Sequence, residues 1–311
     1  MYFFKHLTLK EKNIKILVTG SEGQLGWEIQ RQGKLFGFEI IGVDLPQIDI
    51  TDIIQMKKAI SDYQPVLLIN AAAYTNVDKA ESEPDLAFAV NRDGPDNLAG
   101  ACANAKLPFI HISTDYVFNG QKKSPYIETD QVSPLGVYGK SKEQGEKRVR
   151  FQTNEHIILR TSWMYGVHGN NFVKTMLRLG RERKTIKVVS DQYGSPTSAA
   201  DHAEAVLTIA DLIISAPRIN SKINWGTYHY CGQGITTWYE FAEAVFDIAA
   251  RHEAMKLKRI EPIKTIDYPT PAKRPFFSGL DCSLIEKSFG IKAKPWQESL
   301  KLTIDRIFAQ N

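Results

Sequence analysis

Tyr138-Gly139-Lys140-Ser141-Lys142 has the residue types and spacing for one kind of chemistry. Tyr138 and Lys142 are four apart, so a helix would set both side chains on one face, a turn apart. A free tyrosine, with a pKa near ~10, is a poor acid or base at neutral pH. A lysine ammonium beside it favours the phenolate and lowers that value. The pair is then a proton donor for a carbonyl becoming an alcohol. A surface helix with a half-buried tyrosine and a solvated lysine has the same spacing, so the upstream residues decide between the two.

Residues 14–19 (Ile-Lys-Ile-Leu-Val-Thr) read as a strand, followed at once by Gly20-Ser21-Glu22-Gly23-Gln24-Leu25-Gly26 and a helix carrying Leu25 and Ile29. Strand, glycine turn and helix form the setting of a dinucleotide site, in which backbone amides and the positive helix end meet a pyrophosphate. The spacing here is G-x-x-G-x-x-G, and a turn without a ligand would share it. A second strand at 38–43 ends at Asp44, about 18 residues past Gly26. That is close to the ~20 expected of an acid that binds adenine-ribose hydroxyls. The cation that a 2′-phosphate needs is missing at these places, so NADH is expected to serve at least as well as NADPH.

These residues need a scaffold. Asp49-Ile50-Thr51-Asp52 caps a helix to about Tyr63. The apolar run 65–69 suits a buried parallel strand and ends in Asn70-Ala71-Ala72-Ala73, a flat wall or core filler. A helix spans 83–103. Strand 108–112 stops at the polar Ser113-Thr114-Asp115-Tyr116, where an open α/β sheet binds ligands. Strand 156–160, helix 170–183 with an apolar face at Phe172, Met176 and Leu179, strand 186–189, helix 201–214, a further sheet strand at 228–230 and helix 236–251 follow. Residues 268–275, rich in proline and ending in Lys273-Arg274-Pro275, read as a surface linker or as a clamp for a second phosphate ligand. The alternation predicts an α/β fold, a Rossmann-type doubly wound parallel sheet with a smaller, discontinuous C-terminal substrate domain. Residues 14–165 would form the dinucleotide-binding domain, with 195–230 returning to it. Residues 166–194 and 231–311 would form the substrate domain.

The whole chain narrows the classes. It has 311 residues, 43% hydrophobic and 24% charged, with a net charge of +4 and no basic block, so nucleic acid is not implied. No run of about 18 apolar residues exists to span a membrane. Residues 1–13 read as a short extension without the features of a secretory signal, and a cytoplasmic location is expected. Cys102, Cys231 and Cys282 are odd in number, far apart in sequence and without metal spacing; they read as buried thiols in a reducing compartment.

Together these motifs resemble the extended short-chain dehydrogenase/reductase superfamily and, within it, the family of dTDP-4-dehydrorhamnose reductases. Asn70-Ala71-Ala72-Ala73, Ser113-Thr114-Asp115-Tyr116-Val117-Phe118 and Asp191-Gln192-Tyr193-Gly194-Ser195-Pro196-Thr197 carry most of that likeness. The resemblance implies reduction of the C4 ketone of a dTDP-4-dehydro-6-deoxy sugar by NADH or NADPH. It makes Thr114, Tyr138 and Lys142 the catalytic set. It assigns the cofactor to Gly20, Gly23, Gln24, Leu25, Gly26, Asp44, Asp49, Ile50, Asn70, Ala71, Ala72, Ala73, Tyr74 and Thr75 as well as Tyr138 and Lys142. The sugar nucleotide falls to Thr114, Asp115, Trp163, Asn171 and Arg274. Related sugar-nucleotide 4,6-dehydratases carry glutamate where this chain has Tyr116, a poor acid or base for eliminating water. A regulatory subunit of S-adenosylmethionine synthetase also resembles the family, but that reading predicts an altered catalytic set. A reductase of another nucleotide-linked 4-keto-6-deoxy sugar stays open.

Some family members bridge a dimer with magnesium held by three glutamates. Here Glu28 matches the first, Ala200 or Asp201 the second, and Arg306 the third. A hard divalent cation wants several oxygen ligands, so no metal is expected, and a homodimer would form without one.

Overall fold

The computed structural model describes residues 14–218 and 221–310, so the extension at 1–13 lies outside the described residues. Six strands make the central sheet: β1 (Ile14–Thr19), β2 (Phe38–Val43), β3 (Leu67–Asn70), β4 (Phe109–Thr114), β5 (His156–Thr161) and, after β6 (Thr185–Val189), β7 (Gly226–His229). Their order is β7-β5-β4-β3-β1-β2, and every pairing is parallel. The chain leaves β1 toward β2 on one side and returns to β3 on the other. Strand ends therefore splay apart between β1 and β3, the crevice where doubly wound sheets take ligands.

Strand β3 is buried at every position, as its unbroken apolar run requires of a strand covered on both faces. Helices Gln24–Gly33 and Ala199–Ser215 cover one face through Leu25, Ile29, Val206 and Ile209. Helices Ile53–Tyr63, Gly94–Ala105 and Val137–Gln152 cover the other through Met56, Leu98, Cys102 and Val149. A second apolar cluster gathers Tyr165, Val173, Val188, Phe241, Leu300 and Ile304. It is built by helices Phe172–Glu182, Trp238–Ala249 and Trp296–Ala309 around β6, which pairs with β8 (Arg259–Ile263). Ile285 and Ile291, late in the chain, pack back into the sheet cluster.

Three expectations need correction. The helix read at 83–103 is interrupted by a π-helical turn, Ala89–Asp93. The helix at Phe172–Glu182 buries Val173, Met176, Leu177 and Gly180, so its inward face is turned by one residue from the one expected. Phe172 and Leu179 pack only partly because the second cluster meets the helix from one side. The cysteines are free thiols as expected, but Cys282 is only partly buried, and its sulfur lies 3.6 Å from that of Cys231. No described helix is long and apolar enough to cross a membrane.

Candidate active site

The carboxyl ends of β1 to β5 open into one cleft of about 730 Å³, walled both by the glycine turn and by Tyr138 and Arg274. At its first end, Gly20 turns with φ +73°, and a Cβ there would sit 2.4 Å from the Ala72 nitrogen. A Cβ on Gly26 would sit 2.1 Å from the Gly20 carbonyl, so only glycines let the helix start against the strand end. Asn70 shapes the opposite wall: its Oδ1 accepts from the Thr19 hydroxyl at 2.8 Å and from the Ala72 amide at 3.0 Å. Asp44 fixes the rim, accepting the amides of Glu22 and Leu45 at 2.9 Å each. Asp49 and Ile50 also line the cleft, with the Asp49 carboxylate held by the Thr51 amide and hydroxyl.

Helix Val137–Gln152 brings Tyr138 and Lys142 to the middle of the cleft, opposite Thr114 at the end of β4. Lys142 is 2% exposed and its Nζ donates to the Ile112 carbonyl at 2.7 Å. Burial pulls its pKa down to about 8, with Glu146 opposing. The expected lowering of the tyrosine pKa is not found. Burial pushes the Tyr138 hydroxyl well above its ordinary value, and only a hydrogen bond with Thr114 works the other way. The lysine ammonium donates to the Ile112 carbonyl and is not among the groups that shift the tyrosine.

At the second end stand Asp115, Tyr116, Trp163 and Arg274. Asp115 is buried, and its Oδ1 accepts from the Thr114 hydroxyl at 3.0 Å. Burial pushes its carboxyl up to about 7, against hydrogen bonds from Ser278 and Thr114. Burial also raises Tyr116 to about 12, although Arg274 opposes it, so Tyr116 is no acid or base at neutral pH. Arg274 pairs with Asp78 at 2.7 Å, across 196 residues of chain. Lys142 and Arg274 are the cations of the cleft wall among the described residues.

Most of the expected residues meet here; Gly26, Asn70, Tyr74 and Asn171 do not reach the wall. Gly26 and Asn70 shape the backbone from behind. The Tyr74 hydroxyl turns to Glu83 at 2.7 Å. Asn171 caps the helix Phe172–Glu182, and its amide nitrogen donates to Gln24 and to the Gly166 carbonyl, which leaves Asn170 at the wall.

Sequence reading missed Asn91, Glu146 and Trp238. Asn91 sits in the π turn. It bonds the Tyr74 amide at 2.9 Å, the Tyr74 carbonyl at 3.0 Å and the Ser141 hydroxyl at 3.0 Å. It therefore clamps the alanine wall to the Tyr138 helix, at the kind of helix defect that recurs near sites. Glu146 continues the four-residue stripe of Tyr138 and Lys142, a spacing that could have marked it. Fully buried, it binds Arg160 at 2.7 Å and accepts from the Ser113 hydroxyl at 2.6 Å. Trp238 lines the cleft from the second cluster.

Away from the cleft, the positions matched to three metal-binding glutamates do come together. Arg306 lies 2.9 Å from the buried Glu28, and Gln32 donates to the Ala200 carbonyl at 2.8 Å. The guanidinium, not a third carboxylate, faces Glu28. Asp201 is engaged by Ser299 and Lys294.

The chain matches the family model described as RmlD substrate binding domain over residues 14–308. It is 42% identical to a dTDP-4-dehydrorhamnose reductase of Aggregatibacter actinomycetemcomitans over 92% of this chain and 97% of that one. The solved dTDP-4-dehydrorhamnose reductase of Clostridium acetobutylicum superposes with a TM-score of 0.87 at 42% identity, covering 94% of this chain and 99% of that one. That of Bacillus anthracis, in complex with NADP, gives 0.86 at 37% identity, covering 96% and 100%. The chain belongs to the RmlD family, that of the dTDP-4-dehydrorhamnose reductases.

Proposed function

We propose that the chain reduces the C4 ketone of dTDP-4-dehydro-L-rhamnose with NADH or NADPH, giving dTDP-L-rhamnose. The carrying observation is that Thr114, Tyr138 and Lys142 share one cleft with the glycine turn in a member of this family. The residues present fit a dinucleotide: the turn at Gly20 leaves no side chain in the way of a pyrophosphate, and Ala71, Ala72 and Ala73 leave a flat wall. When bound, the nicotinamide supplies the hydride that reaches the ketone carbon.

Tyr138 holds the proton for the ketone oxygen. Burial keeps that proton in place at neutral pH, the state a donor must start from. Thr114 would bond the same oxygen, exchanging its present contact with Asp115. Lys142, with two N–H groups left beyond Ile112, would hold the nicotinamide ribose and favour the tyrosinate as it forms. Asp115, Trp163 and Arg274 would hold the sugar nucleotide. Tyr116, hydrogen-bonded by Arg274 at 3.4 Å, favours reductase over dehydratase. We also assign residues 14–165 and 195–230 to the cofactor domain, 166–194 and 231–311 to the substrate domain, except that the segment carrying Ile285 and Ile291 returns to pack on the sheet. The enzyme acts in the cytoplasm, and a homodimer of it needs no bridging metal.

The test is cofactor oxidation with dTDP-4-keto-6-deoxyglucose, with and without a 3,5-epimerase. Epimerase-dependent turnover supports the rhamnose step. Turnover that ignores the epimerase points to another 4-keto-6-deoxy sugar.

A further inference from the structure

We propose that Trp238 is a positioning residue: it stacks on Trp163 and holds that indole at the sugar end of the cleft. The inference rests on the reductase reading, in which Trp163 faces the sugar.

The first observation is strain. Trp163 has φ +46°, in the left-handed region that a bulky side chain rarely adopts. Such conformations persist only where the surroundings over-determine them, and they gather at sites of function. The second is what over-determines it. The rings of Trp163 and Trp238 stack with centroids 3.5 Å apart and 8° between planes. Gly194 closes on the same indole: a Cβ there would sit 2.4 Å from Cε2 and 2.6 Å from Nε1 of Trp163. The backbone is tied as well, with the Thr197 amide donating to the Trp163 carbonyl at 3.2 Å and the Ser162 hydroxyl to the Ser195 carbonyl at 2.7 Å.

One short strand pair delivers both partners. Tyr193–Gly194 runs antiparallel to Thr236–Thr237, with Gly194 opposite Thr236. Thr237 caps the helix that Trp238 begins, and a capping box with Glu240 fixes that first turn. Trp238 is braced from behind by Phe172, 4.6 Å away between centroids. An aromatic pair at this spacing could be ordinary core packing. Against that, both indoles are only partly buried and both wall the cleft.

The test compares wild type with Trp238→Ala, Trp238→Phe and Gly194→Ala by steady-state kinetics, cofactor binding and circular dichroism. Stacked indoles give an exciton couplet, readable without substrate. Trp238→Ala should raise KM for the sugar nucleotide about 10-fold, the scale of one aromatic stack, with kcat and cofactor Kd little changed. Trp238→Phe should restore most of the affinity, and Gly194→Ala should raise KM by pushing the ring from its other contact. The couplet should vanish in Trp238→Ala and in Trp163→Phe alike. An unchanged KM with the couplet gone overturns the proposal, as does a parallel loss of cofactor affinity or a couplet that survives Trp238→Ala. Should Trp238→Ala not fold, Trp238→Phe and Gly194→Ala decide. Wild-type turnover tests the reductase reading separately: with none, that reading fails, and the couplet alone decides whether Trp238 holds Trp163.

Discussion

At Tyr138 burial and chemistry pull in opposite directions. Burial holds the hydroxyl protonated, which readies a donor but makes it a weaker acid. On the proposed mechanism, the ammonium of Lys142 would recover that loss as the phenolate forms. Tyr138→Phe should therefore lower kcat by at least ~10²-fold, the scale of a positioned acid, while leaving cofactor affinity near normal. Near-normal turnover in that variant removes Tyr138 from the role. Lys142→Met should lower both cofactor affinity and rate; a fall in only one refutes the double role. Asp115 offers a test by pH. Its folded value, about 7, lies above the ordinary 3.8. A raised carboxyl contributes stability at low pH that is lost as pH rises through the folded value. Wild type should lose stability relative to Asp115→Asn between about pH 4 and 7, by a few kcal/mol across the window. Parallel curves of Tm against pH for the two proteins would refute this.

Among the elements, the first five sheet strands were legible because each is a largely apolar run stopped by Gly, Asn, Asp or Thr, whereas Gly226–His229 showed only as the aromatic stretch Tyr228-His229-Tyr230. What the sequence hid depends on contacts far along the chain or on backbone geometry. The π turn leaves no mark in composition, so the clamp made by Asn91 could not be read. The face of the helix Phe172–Glu182 depends on which side the second cluster approaches. The partner of Arg274 is Asp78, and nothing local to either residue predicts the pair. Most residues expected at the site do line the cleft, since they sit within a few residues of strand ends. Residues supplied by the second cluster, such as Trp238, were not legible. The meeting of the first and last helices is a further case. Glu28 is 1% exposed and is paired with Arg306 and Arg31. Arg306→Ala should destabilise the fold by about 1–3 kcal/mol, because a buried carboxylate loses a partner while Arg31 remains. Unchanged denaturant midpoints would show that water replaces the guanidinium at no cost. With Arg306 on Glu28, chelation should leave the size of the protein in solution unchanged. Light scattering with and without EDTA checks this, and a shift to a smaller species would reveal a metal bridge built by other residues.

Across the whole molecule, charge is distributed unevenly along the cleft. The part of the cleft beside Tyr138 and Tyr116 holds its two cations among the described residues, Lys142 and Arg274, whereas the rim beyond the glycine turn carries Glu22, Asp44 and Asp49. A pyrophosphate at the glycine turn would meet backbone amides. The adenine ribose would lie near Asp44, whose carboxylate already accepts two amides but has lone pairs left for a 2′-hydroxyl. A 2′-phosphate would meet like charge from Asp44 and Glu22. The nearest cation along the first helix, Arg31, is committed to Glu28 at 2.8 Å. The Bacillus anthracis relative was solved with NADP, so the family fold admits the phosphate. Admission and preference differ, and preference depends on which charges surround that one group. We expect kcat/KM with NADH to equal or exceed that with NADPH. Because the rim is open to solvent, salt should screen the repulsion and narrow the gap. The measurement is kcat/KM for both cofactors on one preparation, at low and at physiological salt. A clear preference for NADPH at both would mean that a cation from elsewhere in the chain or from a second subunit reaches the ribose. Asp44→Ala should then fail to improve NADPH, whereas on the present reading it relieves the repulsion and raises kcat/KM for NADPH relative to NADH.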